Sequence, residues 1–128
     1  MKNSDFPELL LHALCGPRPP HNYESNGCTN APDKFGDIDV SAACHLHDYH
    51  YDLGGNEIDR RIADERFRAN LKECIAFYDG NTTLHAIAGV YFRRVRFWGV
   101  QFFNYQPPRT RSKKLCYMAL SLFRRWFE

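Results

Sequence analysis

A thirteen-residue stretch, ACHLHDYHYDLGG at positions 43–55, holds three histidines, two aspartates, two tyrosines and a cysteine. On a helix, side chains three, four and seven positions apart share one face. Four of these side chains have that spacing: Cys44, His47, Asp48 and Tyr51. His45 and His50 point to other sectors, so the three histidines do not converge, which argues against a three-histidine zinc site.

Two interpretations of this face remain open. A zinc set of Cys44, His47 and Asp48 is possible, although three ligands within one helical turn would need a distant fourth. In the other interpretation His47 is a general base, which requires an acid to orient its ring.

A candidate for that acid is Asp64, one turn before Phe67 on the apolar face of the next predicted helix. A carboxylate on a buried face is costly unless it has a partner, and across an antiparallel helix pair His47 and Tyr51 are natural partners. Asp64 would then accept a hydrogen bond from one imidazole nitrogen and leave the other as the base. The alternative is a solvated Asp64 beside Glu65.

Asp48 needs its own explanation, and the loop before the helix offers one. Residues 16–38 are rich in Pro, Asn, Gly and Asp and lack helical or strand periodicity. A carboxylate facing such a carbonyl-rich loop would suit calcium; the alternative is an aspartate exposed to solvent. A disulfide between Cys28 and Cys44 could hold the loop to the helix, which a long loop in a small domain requires.

The elements that position these residues are predicted to be helical, giving an all-α fold with two antiparallel central helices. The first central helix is expected from about Asp39, as N-cap, to Gly54-Gly55, and Asn56 caps the second, with Asp59 completing a capping box. The apolar face of the second helix is predicted at four positions: Phe67, Leu71, Cys74/Ile75 and Tyr78.

Three further helices are expected, and no convincing strand. A short N-terminal helix has a predicted apolar face of Phe6, Leu9, Leu10, Ala13 and Leu14 and ends near Gly16-Pro17. The other two are expected from about Thr83 to Asn104 and from about Ser112 to Phe127. The chain is predicted to be a single domain, residues 1–128.

Composition narrows the classes of partner. The sequence is 44% hydrophobic and 15% aromatic, so disorder is not expected. No apolar run is long enough for a membrane span, and the first residues make a poor signal peptide.

Residues 1–92 carry a net charge of −6, whereas residues 93–128 carry +8 together with many aromatic side chains. This basic, aromatic tail predicts an anionic partner, either a lipid surface or a nucleic acid.

The loop and helix together resemble the secreted-type phospholipase A2 superfamily. That family's motif of cysteine, two residues, His-Asp, two residues and Tyr stands here as CHLHDYHY, and the sixteen positions from Cys28 to Cys44 match its loop and helix cysteines. SNGCTNAPDKFGDIDVSAACHLHDYHYD most resembles the bacterial and fungal branch. ADERF at 63–67 and GVYFRRVRF at 89–97 are also similar to the phospholipase domain of parvovirus capsid proteins. The similarity covers residues 22 to about 75, with a weaker likeness to about 97.

The resemblance implies calcium-dependent hydrolysis of the sn-2 ester of glycerophospholipids, giving a lysophospholipid and a free fatty acid. It implies His47 as general base, Asp64 as its partner and Tyr51 as a support. Calcium is expected on Asp48 and on the loop carbonyls of Gly27 and Asn26, with Thr29 a weaker candidate. The chain departs from the animal enzymes in its loop, where Thr29, Ala31 and Pro32 replace small flexible residues.

The implied partner is an anionic phospholipid surface, bound peripherally by the basic tail with Trp126 and Phe127 as anchors, and no nucleic acid is expected. A lipid substrate and a disulfide favour an extracellular or virion-associated setting.

Two alternatives remain: a non-catalytic module that keeps this scaffold for binding calcium or lipid, and a zinc or nucleic-acid protein. Cys74 and Cys116 are candidates for a second disulfide, which would leave Cys15 free.

Overall fold

The computed structural model of the chain describes residues 1–29, 31–78 and 84–106, which are mainly helical. The elements in chain order are a 3-10 turn Asn3–Asp5, α1 Glu8–Ala13, β1 Lys34–Phe35, β2 Ile38–Asp39, α2 Ser41–Leu53, α3 Glu57–Tyr78, α4 His85–Trp98 and a 3-10 turn Gly99–Gln101. The predicted mainly α-helical class is confirmed. The predicted helix at 112–127, with Trp126, Phe127 and Cys116, lies outside the described residues.

The two central helices are joined by a tight turn, as predicted. Gly54 ends α2 with a φ of 71°, a left-handed conformation that glycine adopts without steric cost. The side-chain oxygen of Asn56 accepts the backbone N–H groups of Ile58 and Asp59, and the Asp59 carboxylate accepts the N–H of Asn56 at 3.0 Å. This reciprocal pair is the capping box expected from the sequence.

Side chains pair along α2 and α3 in opposite order, as in antiparallel helices. Tyr51, near the end of α2, donates a hydrogen bond to Asp64. His47, one turn earlier on α2, stacks on Phe67, which lies further along α3. The predicted apolar face of α3 is confirmed, since Phe67 is 3% exposed and Leu71, Cys74 and Ile75 are fully buried. Tyr78 packs partly buried against the same core.

Several predicted boundaries were wrong. The loop contains a short antiparallel hairpin, in which Lys34 pairs with Asp39 and Phe35 with Ile38. Helix α2 therefore begins at Ser41, although the Asp39 carboxylate still accepts the Ser41 N–H at 2.9 Å. Two-residue strands are too short to show an alternating apolar pattern, so they were not predictable from residue spacing.

The helices before and after the central pair are shorter than predicted. Helix α1 ends at Ala13, and Leu9 is 74% exposed, so its assignment to the apolar face was wrong, whereas Leu10 and Leu14 are buried. Helix α4 ends at Trp98, and the chain then returns to the α2–α3 turn. There the Gly55 N–H donates to the carbonyl of Asn104 at 3.0 Å. Among the described helices, none has the length and apolar character that crossing a membrane requires.

Candidate active site

His47 and Tyr51 of α2 converge on one buried carboxylate of α3, Asp64. The Nε2 of His47 lies 2.8 Å from Oδ1 of Asp64, and the Tyr51 hydroxyl donates to the same oxygen at 2.7 Å. Asp64 is 0% exposed, and the His47 ring is stacked on Phe67 with centroids 4.3 Å apart. An ionised carboxylate only accepts, so Nε2 carries the proton and Nδ1 keeps its lone pair.

Two arginines that were not predicted from the sequence, Arg60 and Arg96, also contact Asp64. Arg96 donates from Nη1 to Oδ2 of Asp64 at 2.7 Å, and Nη1 of Arg60 lies 3.5 Å from the same oxygen. A buried carboxylate needs such partners to remain ionised. Arg60 stands one helical turn before Asp64, a spacing that could have revealed it. Arg96 is thirty-two positions away, and no local pattern connects the two.

Glu57 extends this network across the end of α4. Its Oε1 accepts hydrogen bonds from Arg60 and from Arg96, both at 2.8 Å. Burial alone would raise the pKa of Glu57, but the guanidinium groups of Arg60 and Arg96 outweigh that effect and lower it to about 2. Arg60 also donates to the backbone carbonyl of Val95 at 3.1 Å, so the first turn of α3 is tied to the last turn of α4.

A cavity of about 810 Å³ opens beside the His47 ring. Its lining has polar side chains, which include Tyr23, Ser25, His47, Asp48 and Asp52, and apolar or aromatic ones, which include Phe67, Tyr91, Val95, Trp98 and Phe102. The cavity can therefore contact both a polar or charged group and hydrocarbon.

Asp48 lines this cavity, and none of the salt bridges among the described residues involves it. Burial, with a smaller contribution from the charge of Asp52, raises the pKa of Asp48 to about 6, and His47 partly opposes the rise. The ionised form of a partly desolvated carboxylate of this kind is stabilised when a cation binds to it.

The loop opposite Asp48 is fixed in shape. A disulfide joins Cys28 to Cys44 with Cα atoms 5.1 Å apart, which confirms the predicted pairing. Gly27 has a φ of 82°, and a Cβ there would lie 2.9 Å from Oδ1 of Asp33, the oxygen that accepts the Cys28 N–H at 2.7 Å. Only glycine fits that position without strain.

The donors around this loop fit calcium better than zinc. Asn26 and Gly27 line the cavity with Asp48, and within residues 1–29, 31–78 and 84–106 no backbone N–H donates to their carbonyl oxygens. One carboxylate with backbone carbonyls is a set of hard oxygen ligands, which calcium prefers. The described residues contain no group of three or more His, Cys, Asp or Glu side chains placed to hold a metal. The zinc set is wrong, because the disulfide removes the Cys44 thiolate that it requires.

The mouth of the cavity carries a group of exposed apolar side chains, here called the apolar rim: Phe97, Trp98, Val100 and Phe102. Their exposed fractions run from 51% to 70%, and Trp98 and Phe102 also line the cavity. Arg93 and Arg94 lie exposed on the preceding turn of α4. A patch of this composition beside a cavity is typical of a surface that meets a partner.

The structure thus brings the predicted site residues together on one cavity. His47, Tyr51 and Asp48 line it directly, Asp64 lies behind His47, and Asn26 and Gly27 lie in the facing loop. Cys15 and Cys74 are in no disulfide within the described residues. Comparisons of the chain with protein-family models, with curated proteins and with solved structures find no match.

Proposed function

We propose that this chain is a calcium-dependent phospholipase A2, which hydrolyses the sn-2 ester of glycerophospholipids to a lysophospholipid and a free fatty acid. One observation carries the proposal: His47, oriented by the buried Asp64, shares a cavity with Asp48 and the Asn26–Gly27 loop. Together with the resemblance of the loop and helix motif, this arrangement favours an esterase that uses an activated water.

The chain's own residues supply the proton transfers. Nδ1 of neutral His47 takes a proton from a water molecule as that water attacks the ester carbonyl, and later returns it to the leaving alcohol. A well-placed general base of this kind contributes roughly 10²–10⁴ in rate. Asp64 holds the ring in the reactive tautomer and stabilises the imidazolium that forms, and Tyr51 fixes the orientation of that carboxylate.

Asp48, with the carbonyl oxygens of Asn26 and Gly27, would hold the calcium. The ion, when bound, supplies Lewis-acid stabilisation of negative charge on the ester carbonyl oxygen. The apolar and aromatic side chains that line the cavity, among them Phe67 and Tyr91, would contact the fatty-acyl chain.

The partner implied by this function is a phospholipid surface. The apolar rim, with the neighbouring arginines Arg93 and Arg94, would rest on an anionic membrane and direct the cavity mouth toward the lipid. Basic side chains near such a surface contribute about 1 kcal/mol each.

Product analysis tests the proposal. Anionic vesicles would contain a phospholipid with different acyl chains at the two positions, and products would be identified by mass with calcium or with a chelator. We expect the sn-2 fatty acid and the matching lysophospholipid, with calcium only. Vesicle binding without any release would favour the non-catalytic module, and release of the sn-1 chain would contradict the proposed reaction.

A further inference from the structure

A second histidine, His45, belongs to a hydrogen-bonded chain that the His47 site does not use. The Ser25 hydroxyl oxygen lies 2.6 Å from Nδ1 of His45, and Nε2 of the same ring lies 2.8 Å from Oδ1 of Asn3. Ser25 and Asn3 stand 20 and 42 positions before His45. Their convergence is therefore a result of the fold, and no local sequence motif indicates it.

The Asn3 amide sets the direction of this chain. Its Nδ2 donates to the carbonyl of Pro19 at 2.9 Å, so Oδ1 is the amide atom turned to His45. An amide oxygen only accepts, hence Nε2 of the neutral ring carries the proton and Nδ1 presents a lone pair. The Ser25 hydroxyl must then donate to Nδ1, the relation in which a base activates a nucleophilic hydroxyl.

The environment of the three residues suits this role. His45 is 0% exposed and its ring contacts Phe6 and Tyr23, with centroids 5.2 and 5.3 Å away, so the base is held in place. Burial lowers the pKa of His45, which favours the neutral ring. Ser25, by contrast, is half-buried and lines the 810 Å³ cavity, where a ligand can reach it.

We infer that Ser25 is an activated nucleophile, with His45 as its base and Asn3 as a positioning residue, which accepts an acyl group from a carboxylic ester in this cavity. The Ser25 oxygen bonds to the ester carbonyl carbon while its proton passes to Nδ1 of His45. The bond from that carbon to the alcohol oxygen breaks, the alcohol leaves with the proton, and an acyl-serine remains. Water then attacks the acyl carbon, the acid is released and Ser25 recovers its proton through His45. None of these steps uses His47 or calcium, so the ester is a small soluble one and not the phospholipid, whose hydrolysis is proposed to require both.

Covalent labelling tests this inference on the full chain in the presence of a chelator, where the proposed calcium-dependent hydrolysis is absent. Diisopropyl fluorophosphate reacts with activated serines, because the serine oxygen displaces fluoride from phosphorus. We expect one adduct, mapped to Ser25 by peptide mass, and none on Ser4, which is an exposed serine in the N-terminal turn. His45→Gln should slow the labelling by about 10² or more, whereas His12→Gln, at an exposed histidine, should leave it unchanged.

Substitution of the buried His45 could itself unfold the protein. A second pair of variants, at Asn3, therefore tests the same hydrogen-bonded chain without changing His45. Asn3→Ala removes the oxygen that orients the imidazole and should slow labelling about tenfold. Asn3→Asp retains an acceptor oxygen and should restore most of the rate. The absence of a Ser25 adduct on folded wild-type protein would overturn the inference. Equal labelling of Ser4 and Ser25, or a wild-type rate in Asn3→Ala, would also overturn it.

Discussion

Single residues decide the chemistry of the His47 site, and Asp64 is the one on which the others depend. Each of its two oxygens is engaged: Oδ1 by His47 and Tyr51, and Oδ2 by Arg96. A buried carboxylate held from both sides cannot rotate, so the imidazole that it orients is fixed as well. The proposed base therefore depends on residues that do not contact the substrate.

Arg96 should act as such a positioning residue. It does not line the cavity, so Arg96→Gln is expected to lower kcat about tenfold and to change KM little. Steady-state kinetics would measure both constants. Arg18→Gln, at an exposed arginine that does not line the cavity, is the control, and kinetic constants of Arg96→Gln identical to those of the control would contradict this role.

At this scale the sequence predicted some contacts and missed others. His47, Tyr51 and Asp64 were predictable because helical spacing places each on a definite face. Arg96 was not, because its contact with Asp64 depends on how α4 crosses α3, which residue spacing does not encode. The same holds for Asn3, which lies in the N-terminal 3-10 turn, and for Ser25, which lies in the loop before α2.

At the scale of elements, the Cys28–Cys44 disulfide and the α2–α3 turn build the site. The disulfide closes a sequence separation of 16 residues and holds the Asn26–Gly27 loop against α2. Such a loop closure stabilises a fold by about 3 kcal/mol, chiefly by restricting the unfolded chain. The loop carbonyls and Asp48 should therefore lose their relative positions when the disulfide is absent.

The double variant Cys28→Ala/Cys44→Ala should lower the free energy of unfolding by about 2–4 kcal/mol. Urea unfolding would measure this, and calcium titration of the folded variant should give weaker binding than wild type. Cys15→Ala, at an exposed cysteine outside this disulfide, should change neither property. Unchanged stability in the double variant would show that the disulfide does not hold the loop.

The apolar rim at the end of α4 is the element expected to meet the membrane. Trp98→Ser and Phe102→Ser should each weaken partition into anionic vesicles about tenfold, since each removes a large apolar side chain from the contact. Sedimentation with vesicles at fixed ionic strength would measure the partition coefficients. Leu9→Ser is the matched control, because Leu9 is 74% exposed and does not line the cavity. Equal losses for Leu9→Ser and Trp98→Ser would contradict a role specific to the rim.

Element boundaries were less predictable than element types. The capping box at Asn56 and the Gly54-Gly55 turn carry strong local signals, and both were found where expected. The end of α4 was missed because the apolar pattern continues through Phe102 and Phe103, while the helix stops at Trp98. Only the return of this segment to the α2–α3 turn explains the break, and that contact is long-range.

In the molecule as a whole, hydrogen-bonded ion pairs connect α3 with α4 and with the segment after α4. Glu57 on the first turn of α3 accepts hydrogen bonds from Arg60, from Arg96 of α4 and from the Tyr105 hydroxyl beyond it. The pKa of Glu57, lowered to about 2, makes this link dependent on pH. A carboxyl group with a lowered folded-state pKa stabilises the fold above its ordinary pKa and loses that contribution as pH falls through the folded value.

Glu57→Gln should therefore lower the free energy of unfolding at neutral pH. The difference from wild type should shrink as pH falls from the ordinary value of 4.5 toward about 2, where the wild-type carboxyl also becomes neutral. Denaturant unfolding at a series of pH values would measure this. Glu73→Gln, at an exposed position of α3, serves as the control. A Glu57→Gln deficit that stays constant down to pH 2 would contradict the ionic origin of the link.

His47 is proposed as the base of a calcium-dependent lipid hydrolysis, and a comparison of histidine variants tests this role. Fatty-acid release from anionic phospholipid vesicles would be quantified by mass, with calcium and with chelator, for wild type, His47→Ala and His21→Ala. His21 is an exposed histidine in the loop after α1 and is the matched control. We expect calcium-dependent release from wild type and His21→Ala, reduced by roughly 10²–10⁴ in His47→Ala. Undiminished release by His47→Ala, or no release from folded wild type with calcium, would contradict this role of His47.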